Sequence, residues 1–333
     1  MVNAGPLLAV NGLEILFPTR DGLQTVKAVD GVDFIVRSGE TFGVIGESGS
    51  GKTTLGRALV GLLAPTAGTI LHDGIDLASL RHRQARHYRR NFQIVFQDPN
   101  AALDPRSTIL ESVREPLDLV GVGTREARSQ QALAALDRVG LSAEIAARYP
   151  HELSGGQKQR VNIARVLTLR PKLIVCDEAV AGLDVSIRGE VLNLLAELQR
   201  DFGLTYVFIT HDLSVVAHVS DRIAVMYLGK LMELGPAMDL VDRPLHPYTM
   251  ALLSAEPIPL PSTLRRNRPV VLKGEIPSPI DPPSGCRFRT RCPHAQPICV
   301  DTVPDWRELA SAHWVACHFA GQIGSDIVGT HQQ

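Results

Sequence analysis

Gly46-Glu47-Ser48-Gly49-Ser50-Gly51-Lys52-Thr53 is a complete G-x-x-x-x-G-K-[ST] string. It follows an apolar, strand-like run at 41–45 and opens into a helix-like one at 54–63, beginning with Thr54. That context is the one a phosphate-binding loop requires. Its glycines let the backbone curl so that successive N–H groups point inward at phosphate oxygens. The helix that follows adds the positive end of its dipole. Lys52 can reach β- and γ-phosphates, and the Thr53 hydroxyl can ligate Mg²⁺. Chance supplies such a string in a chain of this length roughly 1% of the time.

The surrounding chain has 333 residues and a formal net charge of −1. The length allows one large domain and a smaller one, and the near-zero charge disfavours nucleic acid as a partner. No apolar run approaches ~18 residues and no signal segment opens the chain, so a soluble, cytoplasmic subunit is expected, reaching a membrane only by docking on others. Apolar strand-like runs alternate with helix-length amphipathic ones from 7 to 255, the pattern of an α/β domain. Strands are expected at 41–45, 172–176 and 205–209, and helices at 54–63, 126–139, 157–169 and 187–202. Proline recurs between 256 and 283, which reads as a linker or extended crossover opening a second unit, 256–333.

A second constellation lies downstream. Leu173-Ile174-Val175-Cys176-Asp177-Glu178 is an apolar strand ending in two carboxylates. Asp177 is suited to hold Mg²⁺ through water, and Glu178 to orient and deprotonate an attacking water. Cys176 inside the strand reads as an inert core residue. The strand 205–209 is followed by Thr210-His211; alone His211 would read as a surface histidine, but in this set it is placed to hydrogen-bond a γ-phosphate and steady Glu178 and the water. Leu153-Ser154-Gly155-Gly156-Gln157 opens another helix and offers a second anion site through Ser154, Gly155, Gly156 and Gln157.

Taken in order, GESGSGKT, Gln97, LSGGQ, LIVCDE, Asp184 and His211 resemble the ATP-binding subunit of ABC transporters over residues 7–255. The resemblance implies a P-loop nucleotide-binding fold with a RecA-like core, a β-subdomain and a helical subdomain, and it implies ATP and Mg²⁺ as ligands. Two such subunits face each other, each ATP lying between the loop of one and the LSGGQ of the other. On this resemblance Gln97 links Mg²⁺ and water to a transmembrane partner, Phe17 stacks on adenine (a core phenylalanine being the rival reading), and Asp184 communicates across the dimer. The stretches 26–32, 214–230 and His246-Pro247-Tyr248-Thr249 are similar to the dipeptide/oligopeptide/nickel permease family, and to its F-type ATPase subunit. That family implies a heterodimer with a second ATPase, two membrane permease subunits, an extracytoplasmic solute-binding protein, and a peripheral place on the cytoplasmic face of the inner membrane. The chain departs from the family at Ala179, where proline is usual, and at Ala181-Gly182, where Ser-Ala is usual.

Cys286, Cys292, Cys299 and Cys317 follow a C-x5-C-x6-C-x17-C spacing. Disulfides suit a reducing cytoplasm poorly. Structural zinc uses closer pairs. Four thiolates on an irregular loop suit an iron–sulfur cluster, and the resemblance to the peptide permeases implies a [4Fe-4S] cluster in a small Cys-rich C-terminal extension, with zinc as the alternative. Free thiols are the third reading, and His294, His313 and His318 are close enough in sequence to substitute as ligands, although surface roles are the favoured reading for them. The function expected is ATP hydrolysis that powers import of a peptide or related solute. The competing functions are a soluble ABC ATPase acting on ribosomes or DNA, an exporter subunit, and an importer of nickel or glutathione.

Overall fold

The computed structural model describes residues 5–80, 82–255 and 274–323; most of the proline-rich crossover, 256–273, lies outside the described residues. Its architecture follows from two kinds of strand. Where apolar and polar residues alternate, the strands form a half-buried antiparallel sheet in the order β2 (Thr25–Val36), β1 (Leu8–Pro18), β4 (Ala67–His72) and β5 (Ile75–Asp76). Leu8, Val10, Leu13 and Ile15 of β1 point to the core, as do Val32, Phe34 and Val36 of β2.

Where the runs are continuously apolar, the strands are central. The second sheet reads β11 (Arg307–Ala310), β12 (His313–Val315), β10 (Lys230–Pro236), β9 (Arg222–Tyr227), β3 (Thr41–Ile45), β8 (Thr205–Thr210), β7 (Leu173–Asp177) and β6 (Phe92–Val95). From β9 to β6 it is parallel, and every residue of β3, β7 and β8 is buried. Their side chains divide between two cores by strict alternation. Ile174, Cys176 and Phe208 join one face, while Leu173, Val175 and Val207 join the other. The second core also takes Leu55 and Leu59 of α1 (Lys52–Leu59), packing that helix between the two sheets.

The first core is closed by helices. α3 (Ile109–Val120), α4 (Arg125–Arg138), α5 (Gly155–Leu167), α6 (Val185–Phe202) and α7 (Leu213–Val219) all contribute to it. α3 begins at a Thr108–Glu111 capping box and stops at Gly121, whose φ of 75° is a left-handed helix end. Short helices α2 (His82–Arg89), α8 (Ala237–Asp242), α9 (Pro247–Ala255) and α10 (Ile298–Asp301) complete the order. Several helix boundaries differ from expectation, and two of them have clear local reasons. α5 starts at Gly155 because the Ser154 side chain caps it and Gln157 closes the box, which draws both glycines into the first turn. α1 ends at Leu59, four residues early, as the chain turns at Gly61 with φ 73°.

Beyond the crossover the chain returns to the main sheet. β12 pairs antiparallel with β10 through Glu233↔Val315 and Leu234↔Trp314, so the tail extends the main sheet. A fully buried carboxylate secures the junction. Glu233 accepts from the backbone N–H groups of Leu245 (2.7 Å) and His246 (3.0 Å) and from His313 Nε2 (2.7 Å). His313, one of the histidines expected near the cysteines, is therefore engaged with Glu233. Glu233→Ala strands three donors in a dry site and should cost about 3 kcal/mol; thermal unfolding of the full chain checks this, and an unchanged midpoint would contradict the keystone role.

Candidate functional site

Parallel pairing sets the site. Ile45 of β3 lies beside Thr210 of β8, and Asp177 of β7 beside Ile209. The three strands therefore end at one level, and the phosphate-loop string, Asp177-Glu178 and His211 all leave the sheet at its carboxyl edge, where ligands of open α/β sheets bind.

The loop is seated between β2 and β9. Gly46 has φ 154°, and a Cβ there would stand 2.1 Å from the Met226 carbonyl oxygen; at Gly51, φ 103°, it would stand 2.0 Å from that of Ala28. Neither position admits a side chain. Between them Ser48 and Gly49 are exposed, forming the open lip of the loop. Gly51 caps α1 with no side-chain hydrogen bond, which leaves the first-turn N–H groups, including those near Thr53 and Thr54, for an anion. Lys52 curls back beneath the loop: its Nζ donates to the Gly46 carbonyl (2.7 Å), the Glu47 carbonyl (2.9 Å) and Ser50 Oγ (3.4 Å). Burial pushes this ammonium below the usual lysine range, opposed by the carboxylates of Glu178, Asp177 and Glu47.

Thr53 Oγ1 donates to Asp177 Oδ1 at 3.1 Å, so two of the three expected Mg²⁺ residues share one corner, while the third, Gln97, reaches Glu178. Burial pushes the Asp177 carboxyl up, and Thr53 opposes the shift. Glu178 is gripped from two sides, by Gln97 Nε2 on Oε2 (2.6 Å) and His211 Nδ1 on Oε1 (3.1 Å). Its own N–H is tied to the Ile209 carbonyl (2.8 Å), and its φ of 49° lies in the left-handed region that a side chain adopts only at a cost. Phe17 is 37% exposed near the end of β1 and pairs with Val26, two residues along β2 from the Ala28 carbonyl under Gly51. That places an available aromatic ring roughly 7 Å along the strand from the loop.

The other expected residues stand elsewhere. Ser154 Oγ accepts from the Gln157 N–H (3.3 Å) while Gln157 Oε1 accepts from the Ser154 N–H (3.0 Å); Gly155 is exposed and Gly156 packs on Ile187 of α6. Asp184 is exposed at the start of α6, next to Val185 at 83% exposure. α5 ties these parts together, through residues whose roles the sequence did not signal. Gln159 Nε2 donates to the Ala179 carbonyl (2.6 Å), Lys158 Nζ to Asn100 Oδ1 (2.9 Å) and Asn162 Nδ2 to the Pro99 carbonyl (3.3 Å). The first of these bonds uses a main-chain oxygen, which Ala179 supplies as a proline would.

In the tail, Cys286, Cys292, Cys299 and Cys317 line one cavity together with His246, Phe288, His294 and His318. Burial pushes the Cys286 and Cys292 thiols up to about 11 each, and Cys317 also upward. The donor set suits thiolate-bound iron in number and kind, although among the described residues no group of three or more His, Cys, Asp or Glu is arranged to hold an ion. Cys176 is fully buried in β7, its thiol pushed up to about 12.

Residues 29–181 match the ABC transporter family, and 232–299 match the oligopeptide/dipeptide transporter C-terminal region. The oligopeptide transport ATP-binding protein AppF of Bacillus subtilis is 50% identical over 322 residues, covering 95% of this chain and 98% of that protein. The chain belongs to the ATP-binding subunits of ABC transporters. A putative peptide import ATP-binding protein of Brucella ovis is 51% identical over 312 residues, 94% of this chain and 97% of the relative. Among solved structures, a dimeric ATP-binding cassette in a post-hydrolysis state with ADP and Pi superposes with TM-score 0.63 at 31% identity, over 69% of this chain and 98% of that one. CbiO1 of Clostridium perfringens, part of an ABC transporter complex, gives TM-score 0.63 at 30% identity over 72% and 91%. The protein is thus an ABC ATPase, an enzyme that uses ATP and Mg²⁺, and the uncapped α1 with its Thr53–Asp177 corner fits both.

The backbone at Glu178 makes a stability ordering that runs against the usual one. A Cβ at that φ costs roughly 1–2 kcal/mol, against the 0.5–1 kcal/mol that glycine loses by being looser when unfolded. Glu178→Gly should therefore be more stable than Glu178→Ala by about 0.5–1 kcal/mol, and denaturant unfolding that ranks alanine first would contradict the left-handed backbone.

Proposed function

We propose that this ABC ATPase powers the import of peptides, working on the cytoplasmic face of the inner membrane as a peripheral subunit. The cargo reading rests on relatives named for oligopeptide transport and peptide import that align along almost the whole chain, tail included. Residues 7–255 act as the ATP-binding domain and 256–333 as a Cys-rich extension built against it. The partners are a second ATPase subunit, two permease subunits and an extracytoplasmic solute-binding protein.

The observation that carries the chemistry is the double grip on Glu178 beside the Thr53–Asp177 corner. Glu178 is the general base: with Gln97 and His211 fixing both carboxylate oxygens, it is aimed to take a proton from an attacking water. Lys52 and the N–H groups of the loop receive phosphate charge, and Thr53 and Asp177 hold Mg²⁺, which when bound neutralises charge developing on the phosphoryl oxygens. Gln97, on the exposed chain after β6, passes the state of Glu178 toward the permease. Phe17 stacks on adenine. Ser154, Gly155, Gly156 and Gln157 face the nucleotide held by the other ATPase subunit, and Asp184 answers across that interface.

Replacing Glu178 by Gln keeps the shape and removes the base. The variant should bind ATP as the parent does, hydrolyse it at least ~100-fold more slowly, and abolish uptake of a labelled oligopeptide in cells that depend on this chain. Hydrolysis near the parent rate would overturn the base, while lost uptake of Ni²⁺ rather than peptide would reassign the cargo.

Cys286, Cys292, Cys299 and Cys317 are proposed to hold a structural [4Fe-4S] cluster, zinc being the alternative. Binding requires the raised thiols to give up their protons. Anaerobically purified chain should then contain iron and absorb broadly near ~400 nm, and both should vanish in Cys292→Ser. Zinc without iron, or neither metal, would end the cluster reading.

A further inference from the structure

Glu47, the second residue of the phosphate loop, is held by the far end of the chain. Its carboxylate receives both arms of the Arg291 guanidinium, Nη1 on Oε2 at 2.5 Å and Nη2 on Oε1 at 3.0 Å. Its backbone N–H donates to the Tyr248 hydroxyl of α9 at 2.8 Å. Its carbonyl accepts from Lys52 Nζ at 2.9 Å. One residue thus connects three groups, and the third is the ammonium that meets the nucleotide.

The two holding groups are themselves fixed. The Arg291 side chain is 7% exposed and sits over the Tyr227 ring at 5.9 Å, and the residue lies next in sequence to Cys292 of the thiol cavity. Tyr248 packs against Tyr227 (4.8 Å between ring centroids) and Phe288 (5.2 Å). A planar guanidinium in a forked pair fixes a carboxylate in orientation as well as in place. It also cancels a negative charge carried by the loop meant for phosphate, one that acts on Lys52 and would repel an incoming anion.

We propose that Arg291 and Tyr248 are positioning residues of the ATP site, holding Glu47 so that the loop and Lys52 are set for phosphate and so that the acidic side chain does not repel it. The proposal rests on the reading of 46–53 as the ATP loop and deepens it. It assigns to the Cys-rich extension a direct part in nucleotide affinity.

The test uses the purified full chain and titrates a fluorescent ATP analogue with Mg²⁺, alongside ATPase assays and thermal unfolding. If the parent fails to bind the analogue, the ATP-site reading fails and this proposal with it. Given binding by the parent, Arg291→Ala should weaken it ~10-fold, the scale of one charge-assisted interaction, and raise KM for ATP more than it lowers kcat. Arg291→Lys, keeping charge without the fork, should fall between. The decisive arm is Glu47→Gln in the Arg291→Ala background. Because it removes the uncancelled charge, it should recover part of the lost affinity. A merely structural contact predicts no recovery. Arg291→Ala binding like the parent, or a double variant no better than the single, would overturn the proposal. Should Arg291→Ala fail to fold, Tyr248→Phe removes only the hydroxyl that receives the Glu47 N–H, and a folded Tyr248→Phe with parental affinity and KM would overturn it equally.

Discussion

The parallel ladder joining β7, β8 and β3 is the constraint from which the rest of the molecule follows. Pairing Asp177 with Ile209 and Ile45 with Thr210 brings three chain segments to one edge with a precision no loop could supply alone. The strands can hold that level because they are buried on both faces, their side chains divided residue by residue between two cores. A slip of one residue would exchange the cores and carry Asp177 away from Thr53. Packing and chemistry are therefore set by the same register.

At that edge the protein assembles charge in a confined volume. The carboxylates of Glu178, Asp177 and Glu47 act on Lys52, and burial works against the charged forms of Lys52 and Asp177. Such a cluster is costly in an empty site, and its cost is offset when opposite charges arrive together, as a nucleotide and its metal do. The left-handed backbone at Glu178 belongs to the same economy: strain held by the Ile209 carbonyl aims the side chain between Gln97 and His211. Stability is given up locally where orientation matters.

The meeting of the loop with Asp177, Glu178 and His211 at one edge was legible in the residues, and other long-range partnership was not. The glycines, Lys52 and Thr53 announce the loop because phosphate binding demands those residue types at that spacing. The carboxylates at the end of a continuous apolar strand announce themselves for a similar reason. The same reading put the start of α5 at Gln157, two residues late, because the Ser154–Gln157 box draws both glycines into the first turn. Nothing in spacing or periodicity signals that Glu233 joins β10 to His313, or that Arg287 pairs with Asp30. These partners are single charged residues tens or hundreds of positions apart, and an isolated arginine in a proline-containing loop looks like any solvated one. Only the fold, by folding the tail onto β10 and β2, reveals them.

The pairing of Glu47 with Arg291 also has a meaning in time. The two residues are 244 positions apart, and a ribosome adds residues from the N-terminus at roughly 5–20 per second. Glu47 therefore emerges roughly 12–50 s before its counter-ion exists. During synthesis the loop is present while the groups that secure it are not, so a chain released early carries the string of residues for binding ATP without Arg291 or the strand that closes the sheet edge. Order of synthesis thus separates the loop from its counter-ion: Glu47 is made early, and Arg291 is among the late residues.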